Sequence, residues 1–153
     1  MIIEGFVSKK ARQFNLDPDL VRAIIYVESN DNSRAMRYEP NYKWLYKFIN
    51  PAATKATEEM QQSTSWGCMQ VMGATARELG CDKPWLNCLL DVPDNLHYGC
   101  LYLSSMIHKY GLDGGISAYN QGGPRKCDDG TFRNQPYVDR VFDKVRELKG
   151  ELK

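Results

Sequence analysis

The chain has 153 residues and a net charge of +1, from 20 Lys and Arg against 19 Asp and Glu, and is 42% hydrophobic and 25% charged. That length predicts one domain, 1–153, with a continuous core of its own. The charge balance excludes a broad basic field for nucleic acid, and no apolar run reaches the length of a membrane span.

In chain order, the opening stretch "MIIEGFVSKKARQF" is interrupted by Glu4, Lys9 and Lys10, which argues against a signal peptide. Its apolar residues Ile3, Phe6, Val7, Ala11 and Phe14 fit an amphipathic helix. Synthesis in the cytoplasm, with export supplied by other components, is the expectation. A second helix is announced by "LDPDL": Asp17 caps, Pro18 suits the first helical position, and Asp19 favours the positive end of the dipole. Leu20, Val21, Ile24, Ile25 and Glu28 then follow the spacing of one helical face. Glu28 therefore sits at the edge of an apolar stripe. Such a glutamate either bends out to water or is a carboxyl whose neutral form is favoured by desolvation, fit to donate a proton.

The stretch from Ser29 to Ser65 is polar and aromatic, with Tyr42, Trp44, Leu45, Tyr46 and Phe48 in a short helix or irregular excursion. "PAATKATEEMQQ" reads as a helix begun by Pro51, and a small hairpin is expected within 31–66. "WGCMQVMGATARELG" predicts a helix entered around Gln70 and stopped at Gly80, and "CDKPWLNCLL" a linking turn or short helix. The longest helix is expected from Pro93 to Tyr110, with Leu96, Cys100, Leu103, Ile107 and Tyr110 inward and Gly111 at its end. Gly99 removes bulk there, letting another backbone approach. "GISAYN" predicts a shorter helix, and Val138, Val141, Phe142, Val145 and Leu148 mark a final one. The fold class is mainly α.

The five cysteines, Cys68, Cys81, Cys88, Cys100 and Cys127, are odd in number and contain no CxxC pair. This argues against a complete disulfide framework and a zinc ribbon, and most are expected to be small buried hydrophobes. His97 and Cys100 share a helical face, but no second ligand pair accompanies them, so no metal is expected. No cofactor is expected either.

Three stretches hold residues that packing explains poorly: "YVESN", "SWGCMQVM" and "SAYNQGG". Their order resembles the catalytic domain of soluble lytic transglycosylases, relatives of goose-type lysozyme that cut peptidoglycan. Glu28–Ser29 is similar to that family's first motif, Gly67–Met72 to its Gly-Leu-Met-Gln stretch, and Ala118–Asn120 to its Ala-Tyr-Asn. Asn95, Gly99, Tyr102 and Leu103 match an Asn–x–x–x–Gly–x–x–Tyr–Leu helix, and Tyr137–Val138 a closing Tyr-Val. The resemblance covers roughly residues 15–145. It departs at Cys68, where the family has Leu, at Gln61, which stands where a Ser is frequent, and at "RNQP", where Glu-Thr-Arg is common.

The resemblance implies a single lysozyme-like domain that cleaves the β-1,4 bond between N-acetylmuramic acid and N-acetylglucosamine. Glu28 is then the acid that protonates the leaving oxygen. Tyr119 is its hydroxyl partner, or else a core aromatic. Gln70 offers an amide to the sugar, or else solvates backbone groups. Met72 lies beside the sugar, or is a plain core methionine. Ser29, Asn120, Tyr137 and Trp66 are further substrate-binding candidates, with Asn120 also able to close a helix end and Tyr137 to anchor the last helix. Trp66, Tyr42, Trp44 and Tyr46 are candidate platforms for sugar faces. Asp31 and Glu39 are possible second carboxylates, so hydrolysis by a lysozyme-type route stays open beside transglycosylation to a 1,6-anhydro product. A non-catalytic glycan-binding protein is the other alternative. The expected partner is the glycan strand, met by a monomer without membrane insertion, in a bacteriophage endolysin or a virion-borne enzyme.

Overall fold

Apolar residues at helical spacing and well-placed end signals account for most of the architecture. A computed structural model describes residues 2–47 and 52–151 of the chain, so Phe48 and Pro51 lie outside the described residues. Helices α1 (Ile2–Gln13), α2 (Pro18–Ser29), α3 (Lys55–Gln62), α4 (Gly73–Glu78), α5 (Val92–Gln121) and α6 (Gln135–Leu148) dominate, beside three short strands, β1 (Met36–Tyr38), β2 (Thr64–Trp66) and β3 (Val71–Met72). The fold class is mainly α, as expected. The chain divides into two compact units, one formed by Met1–Val27 with Cys100–Lys153 and the other by Glu28–Gly99.

In the first unit, Asp17 caps α2 by accepting the Asp19 amide at 2.9 Å, and Leu20, Val21, Ala23, Ile24 and Ile25 are buried. Val7 and Ala11 of α1, Leu103, Ile116 and Ala118 of α5, and Val138 and Val141 of α6 are buried as well. The Ser104 hydroxyl donates to the Phe14 carbonyl at 3.0 Å, tying α5 to the end of α1. Lys149 pairs with Asp17 at 2.8 Å, and Lys144 lies 3.8 Å from the centre of the Tyr26 ring. Gly111 stands at φ 75° and ψ 177° inside α5. That left-handed residue breaks the helix where the sequence placed its end.

In the second unit, the strands form an antiparallel sheet in the order β1-β2-β3. Met36 faces Trp66 and Tyr38 faces Thr64, while Ser65 faces Met72 and Trp66 faces Val71. The expected hairpin within 31–66 therefore exists as the β1–β2 pair, closed by the whole aromatic excursion, and a third strand extends it. The excursion carries no helix across residues 39–47. Helix α3 begins at Lys55 rather than Pro51, because Thr54 is its cap and accepts the Thr57 amide at 3.2 Å.

The ends of α3 and α4 are joined by a buried ion pair. Arg77 Nε donates to Glu58 Oε1 at 2.8 Å and Nη2 to Oε2 at 3.0 Å, the fork geometry that suits a guanidinium. Arg77 Nη1 also donates to the carbonyls of Cys81 and Lys83, at 2.8 and 2.6 Å. Glu58 accepts from Gln62 Nε2, which in turn donates to the Tyr46 carbonyl. A single buried network thus holds two helices, the excursion and the chain leaving α4.

Candidate active site

Glu28 occupies the last turn of α2. Ile24 and Ile25 are buried, Tyr26 is exposed, and Val27 and Glu28 are half-buried. The edge position read from the spacing is therefore what the fold gives this carboxyl. The chain leaves the helix through Asn30 and Asp31, both left-handed at φ 51° and 64°. Asn and Asp tolerate that conformation better than most residues. The Ser29 hydroxyl donates to the Cys68 carbonyl at 2.8 Å, fastening the residue after Glu28 to the turn that carries the second motif. That bond gives Ser29 a positioning contact.

The second motif is a tight turn between β2 and β3, and this corrects the helix expected to begin around Gln70. Gly67 and Gln70 are left-handed at φ 70° and 48°, and α4 begins only at Gly73. Side chains force the difference. Asn95 Oδ1 accepts the Met69 amide at 2.8 Å and the Cys68 thiol at 3.3 Å. Its Nδ2 donates to the carbonyls of Trp66 and Leu89, at 2.7 and 2.9 Å. One fully buried amide therefore uses donors and acceptors alike to shape the turn. A Cβ on Gly67 would collide with the Asn95 side chain and the Leu89 carbonyl. At Gly99 the close neighbour is the Met69 side chain rather than the expected backbone.

Gln70 donates from Nε2 to the carbonyls of Ala35 and Gly67, at 3.2 and 2.9 Å. Its amide nitrogen is thus committed to the backbone, while Oε1 accepts no hydrogen bond among the described residues. Met72 lies half-buried in β3. Trp66 is only 5% exposed and donates its indole N–H to the Gln61 carbonyl at 3.0 Å. It belongs to the interior, which corrects its reading as a sugar platform. Exposed rings of this unit include Tyr38, Trp44, Tyr46 and Trp85, and half-buried Tyr42 meets Trp44 edge-on at 5.6 Å. Of the two further carboxylates, Glu39 is paired with Arg37 at 2.5 Å, and Asp31 is exposed.

In the other unit, the Tyr119 ring is half-buried and lies 5.4 Å from that of Tyr102. Asn120 Oδ1 accepts Asn134 Nδ2 at 3.0 Å, and Ser117 Oγ donates to Asn134 Oδ1 at 2.7 Å. These bonds join the end of α5 to the segment entering α6. Tyr137 is buried at the start of α6. The structure thus gathers Glu28, Ser29, Gln70 and Met72 in one unit, and Tyr119, Asn120 and Tyr137 in the other.

Asn95 is the residue whose importance sequence reasoning understated. The signal was available: an amide beside Leu96 at the start of an apolar helix, where its polar groups require partners. The buried pair Glu58–Arg77 left no comparable signal, since its partners belong to different helices.

Among the described residues no cluster of His, Cys, Asp and Glu could hold a metal ion, and no helix is long and apolar enough to cross a membrane. The fold is mainly helical with a small antiparallel sheet, and the residue after Glu28 is tied to the Gly-x-x-Gln turn. The transglycosylase SLT domain family model matches residues 5–135, and the chain belongs to that family. Membership makes it a lytic transglycosylase with peptidoglycan as substrate. The match includes Glu28, Gln70 and Tyr119 and ends before Tyr137.

Proposed function

We propose that Glu28 is the single acid and base of a reaction that cleaves the β-1,4 bond between N-acetylmuramic acid and N-acetylglucosamine. Glu28 protonates the bridging oxygen as that bond breaks and positive character develops at C1 of the muramic sugar. The resulting carboxylate accepts the proton of the same sugar's C6 hydroxyl, and O6 bonds to C1. The product is a 1,6-anhydro end, and Glu28 returns to its protonated form. Tyr119 assists through its phenolic hydroxyl, and Gln70 presents Oε1 to a sugar N–H or hydroxyl.

The observation that carries this reading is the bond from Ser29 to the Cys68 carbonyl, which fixes the end of α2 against the Gly67–Gln70 turn. A rigid acid beside a rigid turn is what pre-organised proton transfer requires.

Digestion of purified sacculi, followed by mass spectrometry of the products, tests the proposal. Wild-type protein should release anhydro-muramic ends, and Glu28→Gln should clear sacculi about 10²–10⁴-fold more slowly with an unchanged circular dichroism spectrum. Reducing ends alone would identify a hydrolase. Binding to sacculi without clearing would identify a glycan-binding protein. Near-normal clearing by Glu28→Gln would remove this residue from the chemistry.

A further inference from the structure

Residues 35–47 hold three large rings in water on a backbone that is tightly fastened. Tyr38, Trp44 and Tyr46 are 56%, 69% and 45% exposed. Apolar side chains exposed singly need no explanation, but three rings on one anchored segment do. The Glu39 amide donates to the Ser63 carbonyl at 2.8 Å, and the Tyr42 amide to the Glu39 carbonyl at 3.0 Å. Gln62 grips Tyr46 from both ends of its amide: Oε1 accepts the Tyr46 N–H at 2.7 Å, and Nε2 donates to the Tyr46 carbonyl at 2.9 Å. Gln62 is itself buried and bonded to Glu58, which Arg77 holds. Half-buried Tyr42 meets the Trp44 ring edge-on, which puts those two rings on one side of the segment. At the near end, the Ala35 carbonyl accepts the Gly67 amide at 2.8 Å and Gln70 Nε2 at 3.2 Å. Tyr38 then stands about 10 Å along the strand from Ala35, at about 3.3 Å per residue. The rings thus continue outward from the Gln70 turn.

We propose that Tyr38, Trp44 and Tyr46 form an accessory platform that holds the glycan strand beyond the residues that cut it, so that long strands are kept in preference to short ones. This rests on peptidoglycan as the substrate, and not on which group donates the proton. A pyranose ring offers an apolar C–H face bordered by hydroxyls, and a flat ring with a polar edge, as in Tyr and Trp, suits both. A hydrophobic helix or a lipid surface calls for a continuous apolar patch, whereas here exposed Lys43 and Lys47 alternate with the rings. The grip of Gln62 on the Tyr46 backbone means that the platform exists before the strand arrives, and little ordering is left to be done on binding. A strand that touches the platform and the Gln70 turn together dissociates only when both contacts open, which ties residence to strand length.

The test uses glycan strands freed of their peptides by an amidase and sorted by length, titrated calorimetrically against the full chain carrying Glu28→Gln so that the strands persist. Affinity should rise from a tetrasaccharide to long strands. Adding Trp44→Ala should weaken binding of long strands about 10-fold and flatten the dependence on length, and Trp44→Phe, which keeps a flat face, should recover most of the loss. The Trp44 side chain is exposed and Gln62 holds backbone atoms, so far-UV circular dichroism should not change. Trp85→Ala removes an exposed ring outside the segment and should bind strands as its parent does. Equal affinity with and without the Trp44 ring, an equal loss from Trp85→Ala, or no binding of peptide-free strands by the parent would each overturn the proposal. Strands shortened during the titration would count against Glu28 as the acid, and the difference between the Trp44 variants is read independently of that.

Discussion

Replacing Asn95 with Leu tests how the turn bearing Gln70 is held. The two side chains are nearly isosteric, so the substitution opens no large cavity and isolates the polar contribution. It removes the Met69 amide's acceptor and the donors to the Trp66 and Leu89 carbonyls, at a residue only 1% exposed. A buried polar group deprived of its partner costs about 1–3 kcal/mol. Relaxation of the turn towards water recovers part of the sum, leaving a loss of about 3–5 kcal/mol. Leu is the better helix former by a few tenths of a kcal/mol, too little to compensate. For a chain of this size the loss lowers Tm by about 6–20 °C. Urea denaturation followed by far-UV circular dichroism measures it, with the slope of the transition confirming that the same structure unfolds. A loss under about 1 kcal/mol would refute the argument, since the amide would then be replaceable by packing alone.

Further outcomes follow from other contacts. Arg77→Met should cost about 3–5 kcal/mol by stranding Glu58 in the interior, and adding Glu58→Leu should recover much of that in chemical denaturation. Recovery is incomplete because Arg77 also serves the Cys81 and Lys83 carbonyls; a double variant no more stable than the single one would contradict this. Tyr119→Phe keeps the ring beside Tyr102 and, on the proposed role of its hydroxyl, should lower sacculus clearing about 10–100-fold with Tm little changed. Unchanged clearing would exclude the hydroxyl from the reaction. Burial pulls the Asp17 carboxyl up, but the Lys149 hydrogen bond, the Asp19 amide and the Lys149 charge together leave it below its ordinary 3.8. A lowered folded-state value means stability present above the unfolded value and lost as pH falls through the folded one. Asp17→Asn keeps a capping oxygen. Its melting temperature should lie below wild type at neutral pH and converge with it below about pH 4; a constant gap down to pH 2 would show that the charge is not responsible.

Helices were legible wherever periodicity and end signals agreed. The α2 stripe with Asp17 and Pro18, and the break at Gly111, rest on local chemistry that a sequence displays directly. The sheet was harder. Strands of two or three residues have no room for alternation, and Thr64–Trp66 is buried on every residue. At Gln70 the misreading has a specific cause. A helix-compatible stretch is bent into a left-handed turn by Asn95, which lies 25 residues away in sequence (95 − 70). Trp66 misled for a related reason, since tryptophan serves interiors and sugar platforms alike and only tertiary burial tells them apart. Glu28 was the most legible residue of the candidate site, because a carboxyl at the margin of an apolar stripe is conspicuous without any coordinates.

The guanidinium of Arg77 has a consequence for how residues 28–99 come apart. The elements that lie wholly within that region, β1, β2, β3, α3 and α4, are strands of two or three residues and helices of one or two turns, each too short to persist alone. Because one cation touches α3, α4 and the exit from α4 simultaneously, none of these can detach without exposing the others to loss. Hydrogen exchange in this half should therefore be synchronous, with amides of α3 and α4 opening together at one free energy rather than fraying piece by piece. Lysine, with a single ammonium in place of a fork, could not enforce that unison.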